Sequence, residues 1–253
     1  MSDTGAVVFD TDGVLLATAV RHAAAWKTTF DDCLTQWQPP TGDGPPRPFD
    51  AVHDYRDLVD GRSRLDGVRA FLSSRHIDLP SGTPQDQPGC TTVHAVAARK
   101  ERIFSEALMT HGVDVFEDVR PTLRRLRAMN VRSAAVSASR HARLLLEATG
   151  LDALLDAVVD GQDAAALALP GKPDPALFLA AAARLETAPA RAAVVEDALV
   201  GVEAGRGGRF RLVVGLNRDG GPSADQALLA HGADLVLPGL AGLPAALDDG
   251  RHP

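Results

Sequence analysis

The segment VVFDTDGVLL, Val7 to Leu16, decides the fold and locates the chemistry. Val7–Phe9 is an apolar, β-branched run of the kind that is buried on both faces of a sheet. It stops abruptly at Asp10, Asp12 and Gly13. Two carboxylates one residue apart repel each other and are costly to bury. They belong either to a solvated turn or to a site that gives them a cation.

Five further runs of the same character follow, at 133–136, 157–159, 192–195, 212–216 and 234–237. Helical patterns separate most of them, at 138–149, 174–185 and 199–205. This alternation predicts an α/β fold, a doubly wound, Rossmann-like parallel sheet covered by helices on both faces. Between the first strand and the second the alternation breaks. Residues 22–34, 66–74 and 93–111 read as helices, with no convincing strand among them. The expected division is an α/β core of residues 1–16 and 112–253, with a helical insert of residues 17–111. Two Pro/Gly-rich loops, Pro39–Phe49 and Leu79–Gly89, punctuate the insert.

The chain has 253 residues and a formal net charge of −7, which argues against wrapping nucleic acid or lying on anionic lipid. Arg120, Arg124, Arg125 and Arg127 lie at helical spacing and read as a solvated helix face. The only cysteines, Cys33 and Cys90, lack metal-ligand spacing, and nothing in the sequence argues for or against a disulfide between them. The N-terminus lacks the basic start and long apolar stretch of a secretory signal, and no window approaches a membrane span. The expectation is a cytoplasmic monomer.

Ligands of open parallel sheets gather at the carboxyl ends of the strands. The segments there supply Asp10 and Asp12, then Ser137-Ala138-Ser139, then Lys172, then Glu196-Asp197. Each alone is weak evidence: a serine after a strand is often a helix cap, and an acidic pair often opens a helix. Together they form an oxygen-rich set suited to Mg2+, with a hydroxyl, helix N-terminal amides and a lysine to hold phosphate. Such a site performs phosphoryl transfer, and a carboxylate nucleophile makes an aspartyl-phosphate intermediate available.

The motifs DTDGV, SAS, GKPDP and VVEDA resemble the four motifs of the haloacid dehalogenase superfamily, and the insert resembles its helical cap. The resemblance implies Asp10 as nucleophile and Asp12 as general acid/base, with the Asp12 backbone carbonyl among the Mg2+ ligands. It implies Ser137, Ala138 and Lys172 around the transferring phosphate, and Asp197 with Glu196 completing the metal site. Thr11 stands where bulkier apolar residues are common, and its side chain is expected to point away from substrate. Within the superfamily, the insert resembles the β-phosphoglucomutase-like subgroup at Thr18, His22, Trp26, Lys27, Gly61, Ser63, Arg64 and Lys100. That implies a sugar phosphate substrate, with Thr18, His22, Arg64 and Lys100 in the cap and Ser139, Arg140 and His141 in the core gripping the sugar and its second phosphate. Arg140 and His141 replace a lysine and an asparagine of that subgroup, and Ala198-Leu199-Val200 replaces polar residues. Mutase and phosphatase outcomes both fit Asp12. Read from helical spacing alone, Trp26 is a packing residue and the Arg99-Lys100-Glu101 run is a solvated face.

Overall fold

The computed structural model describes residues 4–37, 47–218 and 220–249. Most of the loop Pro39–Pro48 therefore lies outside the described residues. The chain forms two compact units, Met1–Ala17 with Asp114–Pro253, and Thr18–Val113.

The first unit is built on strands β1 (Ala6–Asp10), β2 (Arg132–Val136), β3 (Ala157–Val159), β4 (Ala192–Glu196), β5 (Leu212–Leu216) and β6 (Leu235–Leu237). They make one parallel sheet in the order β3-β2-β1-β4-β5-β6. β1 and β4 are buried along their whole length, as strands covered on both faces must be. The chain begins at the middle of the sheet, winds outward to β3, and returns to the other side of β1 as β4. That reversal opens a crevice at the carboxyl ends of β1 and β4.

In the second unit, α1 (Ala19–Leu34), α2 (Arg64–Ser74) and α3 (Val93–His111) surround an aromatic core. Phe30 stacks on Phe71 at 3.8 Å between centroids and on Trp26 at 4.9 Å. Trp26 is buried there and packs, as its helical spacing suggests. A short π-helical turn, Tyr55–Val59, precedes α2. Cys33 at the end of α1 and Cys90 before α3 are joined by a disulfide, with Cα atoms 5.3 Å apart. The indole Nε1 of Trp37 donates to the Cys90 carbonyl at 2.7 Å, which fixes the same corner.

The bridge spans 57 positions of sequence. Closing a loop of that length in the unfolded chain stabilises the fold by about 4 kcal/mol on the chain-entropy scale. Reducing the protein, or making the double variant C33A/C90A, is therefore expected to lower the urea midpoint of this unit. The double variant should show no additional loss on treatment with dithiothreitol. A midpoint indifferent to reductant would mean that the thiols are unpaired.

The remaining helices belong to the first unit: α4 (Val119–Ala128), α5 (Ala142–Thr149), α6 (Gly161–Ala166), α7 (Ala176–Arg184), α8 (Leu199–Gly207), α9 (Pro222–Ala230) and α10 (Leu243–Asp249). α4 exposes Arg124, Arg125 and Arg127 and buries Val119, Leu123 and Leu126. Among the described residues no helix is long and apolar enough to cross a membrane.

Candidate active site

Strand register brings the polar residues to one level. Asp10 pairs with Val136 across β1 and β2, so Ser137 lies just beyond it. Phe9 pairs with Val195 across β1 and β4, so Glu196 stands level with Asp10.

Lys172 is the hub of this group. Its Nζ donates to Asp10 Oδ1 at 2.5 Å and to Glu196 Oε1, and it lies 4.9 Å from the centre of the Phe178 ring. Glu196 Oε2 accepts the Ala198 amide at 2.7 Å. Asp10, Lys172 and Glu196 are all buried. Burial opposes the charge of Lys172, but the carboxylates of Asp10 and Glu196 outweigh it and hold the ammonium well above its ordinary range. Burial pushes the Asp10 carboxyl well above the usual carboxylate range; Lys172 pulls it back, while Glu196 and Asp12 push it further up.

Asp10, Glu196 and Asp197 each offer a carboxylate oxygen, and these oxygens lie within 4.8 Å of one another. Asp10 and Glu196 are buried there and Asp197 is half-buried. Their negative charge and an all-oxygen donor set fit one Mg2+. The side chain of Asp12 is outside this trio. Its carboxylate instead accepts a hydrogen bond from Ser137 Oγ at 3.0 Å. The same hydroxyl accepts the Ser139 amide at 3.0 Å, and Ser139 Oγ accepts the His141 amide at 3.2 Å. Ser137-Ala138-Ser139 is thus a loop of serine-capped amides. Arg140 next to it is exposed, and His141 is half-buried.

Three supporting residues had little or no sequence signal. Thr11, expected only to avoid the substrate, is buried and donates to the Val136 carbonyl at 2.9 Å, pinning the turn to β2. Gly13 has φ +82°, and a Cβ there would fall 1.8 Å from Asp197 Oδ2. A Cβ on Gly201 would fall 1.7 Å from Glu196 Oε1, so glycine is what lets α8 approach that carboxylate.

The cap residues form two groups within their own unit. Lys100 is buried, with Nζ 2.7 Å from His22 Nδ1 and 4.3 Å from the centre of the Phe104 ring. His22 also stacks on Phe104 at 3.9 Å. Burial of Lys100 departs from the solvated face that the Arg99-Lys100-Glu101 run suggests, because aromatic rings and an imidazole take the place of water. Arg64 pairs with Glu101. Ser63 caps α2 by accepting the Asp66 amide at 3.2 Å. Thr18 is buried and precedes α1, its carbonyl accepting the His22 amide at 2.9 Å.

Residues 4–208 match the haloacid dehalogenase-like hydrolase family. A β-phosphoglucomutase of Mycobacterium bovis is 44% identical over 238 residues, covering 94% of this chain and 90% of that protein. Among solved structures, β-phosphoglucomutase from Clostridium difficile is similar in fold, with a TM-score of 0.71 at 20% identity over 95% of this chain and 93% of that one. A haloacid dehalogenase family hydrolase from Deinococcus radiodurans, solved with bound phosphate and sodium, has a TM-score of 0.66 at 29% identity over 99% of this chain and 97% of that one. The family match runs from β1 through α8 and takes in Asp10, Asp12, Ser137, Lys172, Glu196 and Asp197, and on that evidence the chain belongs to the haloacid dehalogenase-like hydrolases.

Proposed function

We propose that this protein is a Mg2+-dependent phosphotransferase that converts β-D-glucose 1-phosphate to glucose 6-phosphate through β-glucose 1,6-bisphosphate. The observation that supports the chemistry most is the placement of two unlike carboxylates: Asp10 buried against Lys172, and Asp12 held on the Ser137 hydroxyl. Similarity to the mycobacterial β-phosphoglucomutase supports the choice of substrate.

Asp10, Asp197, Glu196 and the Asp12 carbonyl would hold the metal, whose charge neutralises the phosphate and lets an anionic ester approach a carboxylate. Lys172 balances charge on Asp10 and orients it toward phosphorus. As the Asp10 oxygen bonds to phosphorus, the bond from phosphorus to the sugar oxygen breaks, and Asp12 gives its proton to that oxygen. In the other half-reaction the 6-hydroxyl of β-D-glucose 1-phosphate attacks the phosphoryl group on Asp10, passes its proton to Asp12 and releases the Asp10 carboxylate, which forms the bisphosphate; the bisphosphate then presents its C1 phosphoryl group to Asp10 and leaves as glucose 6-phosphate. Ser137, the Ala138 amide and Lys172 hold oxygens of the transferring phosphate. Thr18, His22, Arg64 and Lys100 of the cap, with Ser139, Arg140 and His141, are assigned to the sugar and its second phosphate. A cytoplasmic location suits this chemistry, since a charged sugar phosphate does not cross a bilayer unaided. Quenching the enzyme with Mg2+ and bisphosphate and digesting it should yield a phosphorylated peptide containing Asp10. A phosphoryl group on another residue would overturn the assignment.

A second reading, a phosphatase of small monoesters, has one observation in its favour. The guanidinium proposed to grip the second phosphate, Arg64, already has Glu101 as an ionic partner. Arg64→Ala separates the two. A charge-assisted grip is worth about 1.5–3 kcal/mol, so mutase turnover should fall roughly 10- to 100-fold. Hydrolysis of a simple monophosphate should change by less than about threefold. Equal losses on both would favour the phosphatase.

A further inference from the structure

We infer that Arg218, on the segment after β5, is a positioning residue for the turn that carries Asp12. The inference rests on the acid/base role proposed for Asp12. The turn closes on itself: the Gly13 amide donates to the Leu16 carbonyl at 2.9 Å, and the Leu15 and Leu16 amides both donate to the Thr11 carbonyl. Two further carbonyls of the turn accept from Arg218. Its Nε donates to Gly13 O at 3.2 Å and its Nη2 to Val14 O at 2.9 Å.

The guanidinium is itself held from two other directions. Asp118 accepts from Nη1 and Nη2, both at 3.0 Å, in a forked pair. Phe116 lies under the guanidinium carbon, 3.8 Å from its ring centre. Asp118 is anchored in turn by the Leu240 amide at 2.6 Å. One half-buried arginine therefore ties the segment by which the chain leaves the core unit, Gly13–Val14, to the segment by which it returns, Phe116–Asp118. The planar fork makes these bonds together, and a lysine cannot reproduce it.

The consequence falls on Asp12, directly before Gly13. On one side its carboxylate is held by Ser137; on the other its backbone is held by Gly13, whose carbonyl Arg218 grips. Asp10 is fixed independently by the β1 ladder and Lys172. Loss of Arg218 should therefore disturb proton transfer more than nucleophilic attack.

The test compares two esters in single-turnover experiments with Mg2+. A sugar monophosphate has a poor leaving group that needs the Asp12 proton, whereas p-nitrophenyl phosphate releases a stable anion that does not. Arg218→Ala and Arg218→Lys should slow phosphoenzyme formation from the sugar phosphate roughly 100-fold, the scale of a 1 Å misplacement. The nitrophenolate burst should stay within about threefold of wild type. Asp118→Asn, which keeps the arginine but removes its charged anchor, should show the same split to a smaller degree. Equal losses on both esters would indicate general damage and overturn the inference, as would no loss on either. Asp12→Ala serves as the reference. If it shows no split, the acid/base assignment itself fails, and the Arg218 role falls with it. If it splits the esters and Arg218→Ala does not, only the Arg218 role fails.

Discussion

Asp10→Asn is expected to lower turnover by at least about 10⁴-fold and to eliminate the phosphoenzyme, while the protein stays folded. The amide cannot attack phosphorus, so the loss is of the bond-forming atom and not of affinity. Folding should survive because Lys172 keeps Glu196 as its partner, and because a neutral amide is less costly to bury than a carboxylate. Measured side by side, sugar phosphate turnover and thermal unfolding should separate completely. Turnover within tenfold of wild type would mean that another residue receives the phosphoryl group.

Lys172→Met should be severe in a different way. Methionine keeps much of the stem volume beside Phe178 but removes the one ammonium shared by Asp10 and Glu196. The buried carboxylates of Asp10 and Glu196 then lose the ammonium they share, and breaking a buried pair in this way costs about 3–5 kcal/mol. In EDTA the variant's unfolding free energy, read from urea titration, should fall by that amount. Added Mg2+ should restore more stability to the variant than it adds to wild type, because the cation meets one more unbalanced charge. A midpoint unchanged in EDTA would mean that the carboxylates do not share a buried site. Activity should be lost with or without Mg2+, since the phosphate loses its cationic partner.

Much of this architecture was legible because buried parallel strands advertise themselves. The runs at Val7, Ala134, Val158, Val194 and Val213 are apolar nearly throughout and all lie in the sheet. The apolar signal stops one residue early at Phe9 and at Val195, because the ladder needs backbone groups and accepts a carboxylate at its end. The expected strand at 234–237 runs one residue long at Asp234, whose side chain accepts the Val213 amide at 2.7 Å. α5 begins at Ala142 and not at Ala138, because Ser137 and Ser139 turn their hydroxyls onto local amides.

The grouping of Asp10, Lys172, Glu196 and Asp197 followed from strand order, since polar residues after parallel strands arrive at one edge. What periodicity could not reveal depends on long-range packing. The disulfide joins residues in different elements. The burial of Lys100 depends on His22 and Phe104. Arg218 sits in a loop whose composition, Asn-Arg-Asp-Gly-Gly, reads only as a turn. Its partners Gly13, Val14 and Asp118 are distant in sequence, and no local pattern records them.

The most direct measurement is of products. The purified protein is given β-D-glucose 1-phosphate, Mg2+ and a catalytic amount of β-glucose 1,6-bisphosphate, and the phosphorus resonances are followed. Glucose 6-phosphate should accumulate at the rate at which substrate disappears, with no inorganic phosphate beyond that traceable to the bisphosphate. Inorganic phosphate appearing in step with substrate loss, together with free glucose, would contradict the mutase and establish hydrolysis.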